Sequence, residues 1–561
     1  MTNLLFDIVA NQFVKIIDVA KDDILKNLEC PPEAHMGDVA FPCFVLSKKL
    51  KNSPIAIANE LKDKIINLND DCFEKIDVVN GYLNFFINRK HVLNKFLKLY
   101  ENNLLLGEKK HINEKALIEH TSINPNASPH IGRARNAMIG DASARLLKFL
   151  GYDTTVHYFV NDIGKQIALL VYYTEGKSNI TFNDLLNLYV SANEELKENP
   201  EIEEKVFLLL HEMENGNLQV FDKFSNIVNI CINGQKNIFN EFGIYYDVYD
   251  YESNYIYSGR TAEILNQLEK TKYMFTDEAG RKVLNLQDFN INSENPYFPL
   301  TRKDLTSLYP LRDVCYSIDK SIWANGGKNI VVLGEDQKLY GKQVNAVLDI
   351  LGYKGAEIIN YSFVLLADGK MSTRAGKVVL LEDLMKETTD FAKQKMIERG
   401  SVVDEKLAKQ IAYGAIKYAI LKCGNDRNVI FDKDQALSFE GNTSVYIQYS
   451  RARILSILKG ESCEINCVDF SLLNTDIEWA LVVQILSFNS VISQLENTFN
   501  FNSLCNYLYD LCKLFSRWYN SCPIKTAEIN LKNARLKMAE IIAKNIEIGL
   551  NILGIESPEK I

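Results

Sequence analysis

The sequence predicts a multidomain α/β chain, with a parallel-sheet core between a small α+β unit and an all-helical C-terminal segment. Three observations carry this. At 561 residues the chain is too long for one hydrophobic core and suits about three to five domains. From Lys115 onward a strand, a loop, a long helix and a second strand follow one another. After about Glu387 the apolar pattern is helical almost to the end.

Residues 1–110 read as the α+β unit. Apolar residues recur at helical spacing from Leu4 to Leu25, and Ser53 followed by Pro54 opens a second helix to Leu68. The run from Ile76 to Ile87 carries a turn at Gly81 between two strand-like halves. Residues 102–113 read as a linker.

Residues 111–386 read as the sheet-bearing domain. Ala116–Glu119 is a short strand, and a Pro- and Asn-rich loop leads from it into a helix over Ile131–Leu150. Ala134, Met138, Ala142 and Leu146 form that helix's apolar stripe, and Gly151 is its stop. With Thr154–Val160 as the next strand, the order is that of a parallel βαβ, Rossmann-like fold. Residues 170–300 are polar and helical without a sheet rhythm, and read as an insertion. The sheet resumes at Asn329–Leu333, a helix follows to Leu351, and Glu357–Leu366 is a further strand. Residues 387–561 form the helical segment, with strong periodicity through Leu536–Leu553.

Composition narrows the function classes. Hydrophobic residues at 47% and charged residues at 24% exclude a mostly disordered, collagen-like or coiled-coil chain. No apolar run approaches the ~18 residues of a membrane span, and Met1–Asp18 lacks the pattern of a secretory signal. The net charge is −9, with its excess acid in the middle of the chain. That argues against tight non-specific DNA binding and leaves room for a locally basic nucleic-acid surface on the two ends. Eleven scattered cysteines without a Cys-x-x-Cys pair read as the reduced thiols of a cytoplasmic protein. All seven histidines lie at or before His211, so no His/Cys zinc site is expected in the C-terminal half, and no metal site is assigned.

Two loops carry chemistry. In Asn124-Pro-Asn-Ala-Ser-Pro-His-Ile-Gly-Arg133 a strand delivers the chain to a helix N-terminus, where free N–H groups and the positive dipole end favour anions. Gly132 permits close approach, and His130 and Arg133 can donate to phosphate oxygens. The competing reading is that His130 only caps the helix. In Asp368-Gly-Lys-Met-Ser-Thr-Arg-Ala-Gly-Lys377, two glycines and three cations make a loop suited to stabilising developing charge on a triphosphate. Its competing reading is a solvated turn.

Together the loops resemble the two signature motifs of class I aminoacyl-tRNA synthetases, His-Ile-Gly-His and Lys-Met-Ser-Lys-Ser. Here these read His130-Ile-Gly-Arg133 and Lys370-Met-Ser-Thr-Arg374. Surrounding segments narrow the resemblance to the arginyl-tRNA synthetases: Glu119-His-Thr-Ser-Ile-Asn-Pro-Asn126, Val160-Asn-Asp-Ile-Gly-Lys-Gln166, Thr306-Ser-Leu-Tyr-Pro-Leu-Arg-Asp313 and Val332-Leu-Gly-Glu-Asp-Gln-Lys-Leu-Tyr340. Gly37-Asp38-Val-Ala-Phe resembles that family's additional N-terminal domain. Tyr446-Ile-Gln-Tyr-Ser-Arg-Ala-Arg453 and Asn533-Ala-Arg-Leu536 resemble its anticodon-binding bundle. Three positions depart from the pattern. Arg133 stands for the second His, Ala127 stands where many relatives carry Lys, and Thr373 stands for the second Lys. Arg133 and Arg374 are expected to supply the missing charge.

The resemblance implies ATP-dependent activation of L-arginine to arginyl-adenylate, then transfer to the 3′-terminal adenosine of tRNA(Arg), with Mg2+ accompanying ATP. Neither step needs a protein nucleophile, because positioning and charge stabilisation can supply the rate. It implies catalytic roles for His130, Gly132, Arg133, Lys370, Ser372 and Arg374, and an ATP site at Pro129, His130, Ile131, Gly132, Lys370 and Met371. A guanidinium fork matches a carboxylate bidentately, so Asp313 and Tyr309 are assigned to that end, with Glu119 a second acidic candidate. Asn126 and Gln337 are assigned to the α-amino and carboxylate groups. The alternative for Asp313 is an ion pair with its neighbour Arg312. Asn84 and Phe86 near the N-terminus, and Arg451 and Arg453 in the bundle, are the expected tRNA contacts. A monomer is expected. The rival functions are a small-molecule nucleotidyltransferase, which the long helical C-terminus disfavours, and a non-catalytic RNA-binding paralogue.

Overall fold

A computed structural model describes residues 4–31, 33–107, 109–289, 291, 295–365, 379–461 and 468–561. The N-terminal unit is an antiparallel sheet of β1 (Val39–Pro42), β2 (Phe73–Val79) and β3 (Tyr82–Ile87), in the order β1-β3-β2. Asn80 and Gly81 join β2 to β3 with φ of 50° and 82°, the left-handed pair that a two-residue hairpin turn requires. Ser53 caps the Pro54–Ile66 helix by accepting from the Ala56 N–H at 3.3 Å. The expected single helix over Leu4–Leu25 is instead two, Leu4–Ile16 and Lys21–Leu25. The chain turns between them and returns Ile24 to the core that holds Leu5, Val9 and Phe13.

The central sheet contains β4 (Lys115–Glu119), β5 (Asp153–Val160) and β6 (Val248–Tyr251). A small antiparallel sheet of β7 (Met274–Thr276), β8 (Lys282–Asn285) and β9 (Tyr297–Pro299) follows in the chain. Then come β10 (Lys328–Gly334) and β11 (Glu357–Tyr361). All five central strands run parallel, in the order β11-β10-β4-β5-β6. The chain leaves β4 toward β5 and later returns on β4's other side as β10, so a crevice opens at the carboxyl ends of β4 and β10.

The stretch 170–300 is thus not a strandless insertion. Four helices between Lys165 and Glu241 do build their own core around Leu170, Val206 and Phe224, but the same stretch supplies β6 and the small sheet. The expected strand Glu357–Leu366 is also divided: β11 ends at Tyr361, and β12 (Val364–Leu365) pairs in parallel with β13 (Val429–Ile430). A boundary at 386/387 falls inside the Leu381–Glu398 helix.

The C-terminal bundle includes the Glu405–Leu421, Ser444–Leu458, Asp476–Thr498, Asn502–Ser521 and Ile529–Ile552 helices. Thr475 and Glu478 form a capping box at the start of the third of these. The bundle holds the N-terminal unit directly. Trp479 Nε1 donates to Asp38 Oδ1 at 2.8 Å, and Arg89 pairs with Asp476 at 2.9 Å. No described helix is long and apolar enough to cross a membrane.

Candidate active site

The first signature loop sits where β4 feeds the Ile131–Leu150 helix, above the crevice. His130 is that helix's N-cap, and its Nδ1 accepts from the Gly132 N–H at 3.2 Å. Capping and availability to a ligand are therefore not exclusive: the ring stays partly exposed, with Nδ1 engaged. Burial, then the Arg133 charge, lowers the His130 pKa, so the ring favours its neutral form. Pro129 O accepts from Leu381 N at 2.8 Å, and Ile131 N donates to Val379 O at 3.0 Å. Lys370, Met371, Ser372 and Arg374 lie outside the described residues, but the chain on their C-terminal side is thus tied to the first loop.

Arg133 lines a cavity of about 320 Å³ together with Glu119, Tyr309, Asp313 and Gln337. Five candidates from four separate stretches of sequence thus converge on one space. Glu119 is the last residue of β4 and is 8% exposed. Its Oε1 accepts from Ser122 Oγ at 3.3 Å, and its Oε2 pairs with Lys320, which is 2% exposed. Asp313 lies in the second turn of the Tyr309–Ala324 helix and accepts from Ser317 Oγ at 3.4 Å. Burial raises its pKa, Lys320 opposes the rise and Glu119 adds to it. Tyr309 stacks on Tyr340 with ring centroids 5.6 Å apart. Gln337 is exposed at the cavity rim.

Asp313 does not pair with Arg312. Arg312 Nε instead donates to the fully buried Glu252 at 2.6 Å, and its Nη1 donates to Ser307 O at 2.6 Å. Asp313 is left facing the cavity. Asn126 is 5% exposed, does not line this space, and its Oδ1 is buried without a hydrogen-bond partner.

Several residues that hold the site together have no motif signal. Asn136 accepts from Thr121 N at 2.7 Å and donates to Val332 O at 2.8 Å, bracing the first loop against β10. Thr121 and Ser122 line the cavity with φ of 78° and 40°, a left-handed strain that is costly for β-branched Thr121. Arg135 is 0% exposed, and its guanidinium donates to Ser362 O, Arg427 O and Gly424 O at 2.6, 2.8 and 2.9 Å. An Arg one turn into an anion-binding helix was a visible clue. Its partners were not.

The expected tRNA contacts separate into two kinds. Phe86 is partly exposed beneath the Lys75 ammonium, whose distance from the ring centroid is 5.1 Å, whereas Asn84 on the same strand is only 7% exposed. In the bundle Arg453 is partly exposed, 4.3 Å over the Tyr519 ring. Arg451 departs from the expectation of a phosphate contact. It is 7% exposed, donates to Ser557 O at 2.9 Å and pairs with Glu547 at 3.4 Å. Its charge is used to fasten the C-terminus.

A parallel sheet with an anion-binding helix start at its switch point, a signature loop and a polar cavity beside it define a class I aminoacyl-tRNA synthetase. Comparison with known proteins agrees. Residues 96–433 match the model of the class I (R) tRNA synthetase catalytic domain, 447–561 the DALR anticodon binding domain, and 4–87 the arginyl tRNA synthetase N-terminal domain. The arginine–tRNA ligase of Methanocaldococcus jannaschii is 36% identical over 99% of this chain and 98% of that protein. That of Methanococcus aeolicus is 33% identical over 99% of both. The Thermus thermophilus arginyl-tRNA synthetase structure superposes with a TM-score of 0.82 at 26% identity, covering 100% of each chain. The chain belongs to the arginyl-tRNA synthetase family of arginine–tRNA ligases.

Proposed function

We propose that the cavity at the ends of β4 and β10 is the arginine site of this ligase, and that the His130 loop beside it is the ATP site. One observation carries the reading: Glu119, Tyr309, Asp313 and Gln337 meet around a single space that Arg133 also borders. A carboxylate at the floor and an aromatic wall suit a guanidinium, which takes bidentate hydrogen bonds in its plane and stacking on its face. Asp313 takes the guanidinium and Tyr309 covers it. Gln337 at the rim holds the backbone end of the substrate; Asn126, which does not line this space, is the weaker candidate for it.

ATP then lies along the start of the Ile131–Leu150 helix. Its phosphates face the helix dipole, His130 and Gly132, with Pro129 and Ile131 against the nucleoside. The arginine carboxylate attacks the α-phosphate, pyrophosphate leaves, and a hydroxyl of the terminal tRNA ribose then takes the arginyl group from the adenylate, releasing AMP. Arg133, together with Lys370, Ser372 and Arg374 of the second loop, stabilises charge on the transferring phosphate. Met371 is assigned with Lys370 to ATP binding. Mg2+ enters on the phosphates of ATP; among the described residues no group of three or more His, Cys, Asp or Glu is arranged to hold a metal.

For tRNA, Phe86 is the better N-terminal candidate and Asn84 the weaker, because Asn84 is buried. In the bundle Arg453 is favoured and Arg451 is not. The nine described cysteines are free thiols, seven of them buried, which supports a reducing, cytoplasmic setting. A monomer is the working state. Charging of bulk tRNA with radiolabelled arginine and ATP, against lysine, tests the reading. Arginine charging that disappears in Asp313→Ala is expected. Charging that survives in that variant moves the guanidinium site elsewhere.

A further inference from the structure

The arginine site as read above holds an ion that arginine recognition by a carboxylate does not explain. Lys320 lies seven residues beyond Asp313 on the same helix, two turns along the same face, with Ser317 between them. Its side chain is 3% exposed, its ammonium is paired with Glu119 Oε2, and it sits 4.5 Å from the Tyr316 ring centroid. Burial and the neighbouring Glu119 raise the Asp313 pKa, and Lys320 opposes that rise.

We infer that Lys320 is a positioning residue for arginine recognition: it holds the Glu119 carboxylate in place at the cavity floor, leaving Asp313 to take the substrate's guanidinium. This rests on the cavity being the arginine site. Without Lys320 the rise in the Asp313 pKa from burial and from Glu119 goes unopposed, so Asp313 is a poorer anion for an incoming guanidinium. Ser122 Oγ on the other Glu119 oxygen and the Tyr316 ring beneath Nζ hold Lys320 and Glu119 in one arrangement.

The test is steady-state aminoacylation of tRNA, with arginine and ATP varied in turn, by the full chain carrying Lys320→Met, which keeps the stem and its packing on Tyr316, and by Lys320→Arg, which keeps the charge. Losing one partner of a buried, hydrogen-bonded charge pair should raise the KM for arginine by about 30-fold or more in Lys320→Met. The kcat and the KM for ATP should change by less than about 3-fold. Lys320→Arg should restore the KM for arginine to within about 5-fold of the parent. A KM for arginine that falls in Lys320→Met would overturn the inference, because Lys320 would then merely compete with substrate for Glu119. Equal losses in kcat and in both KM values, unrelieved by Lys320→Arg, would also overturn it by reducing Lys320 to a packing residue. Should Lys320→Met not fold, Lys320→Gln is read in its place, and calorimetric titration of L-arginine into Lys320→Arg decides the same question. Asp313→Asn, assayed in parallel, separates the two readings. An unchanged KM for arginine there removes the site assignment itself, whatever Lys320 does.

Discussion

Arg135 joins three parts of the molecule that are distant in sequence: the catalytic helix, the end of β11 with its link to β12, and the loop before β13. Replacing it with methionine keeps the stem and removes the donors to Ser362 O, Arg427 O and Gly424 O, at 2.6, 2.8 and 2.9 Å. A buried acceptor left dry costs about 1–3 kcal/mol. The low end applies here, because methionine carries no charge to desolvate; Gly424 O keeps the Arg427 N–H at 3.1 Å, so the two carbonyls left, Ser362 O and Arg427 O, give ~2 kcal/mol. That cost falls on the local pairing. There Ser362 N donates to Asn425 O at 2.8 Å and Val429 N to Phe363 O at 3.0 Å. Native-state hydrogen exchange reads it directly, since ~2 kcal/mol is about one and a half decades in the opening equilibrium. Exchange at the Ser362 and Val429 amides should accelerate by ~30-fold while amides of the β4–β5 pair stay within about 3-fold. Acceleration spread evenly over the sheet, or none at Ser362 and Val429, would refute the reasoning.

Two further perturbations follow from buried polar groups. Burial pulls the His120 pKa down to about 4, so the folded ring stays neutral where the unfolded chain takes up a proton. Its contribution is complete above the ordinary value of about 6.5 and is lost as pH falls toward 4, by ~3 kcal/mol across that window. Denaturation midpoints of the parent should therefore fall more steeply with acid than those of His120→Phe, and parallel slopes would remove His120 as the cause. Trp479→Phe deletes the donor to Asp38 between the N-terminal unit and the bundle. At ~1 kcal/mol this should lower the first thermal transition by about 4–8 °C, and an unchanged scan would show that other contacts suffice.

Local signals in the chain marked the catalytic helix closely. Its stripe, its glycine stop and the Pro-rich entry placed it at Ile131–Leu150, where it is found. The Ser53–Pro54 helix start and the Gly81 turn were equally legible, because each depends on the conformational preferences of one or two residues. Strand β6 was not. Val248–Tyr251 is a four-residue edge strand, partly exposed at every position, so it shows neither alternation nor an apolar run. The site divided in the same way. Motif context singled out Asp313 and Glu119, which line the cavity, whereas Lys320 pairs with a carboxylate 201 positions earlier and looks like any helical lysine. Arg451 misled for the complementary reason. A basic residue beside aromatics reads as a nucleic-acid contact, but here the chain's own C-terminus reaches it first.

The central claim is that a carboxylate-lined cavity selects arginine by its guanidinium. Citrulline tests it most directly, since it keeps arginine's shape and replaces the guanidinium with a neutral urea. In competitive charging of tRNA the kcat/KM for arginine should exceed that for citrulline by about 10⁴-fold or more, because citrulline leaves Asp313 ionised and unpaired. Discrimination below about 100-fold would mean that shape rather than charge selects the substrate, and would contradict the assignment of the site.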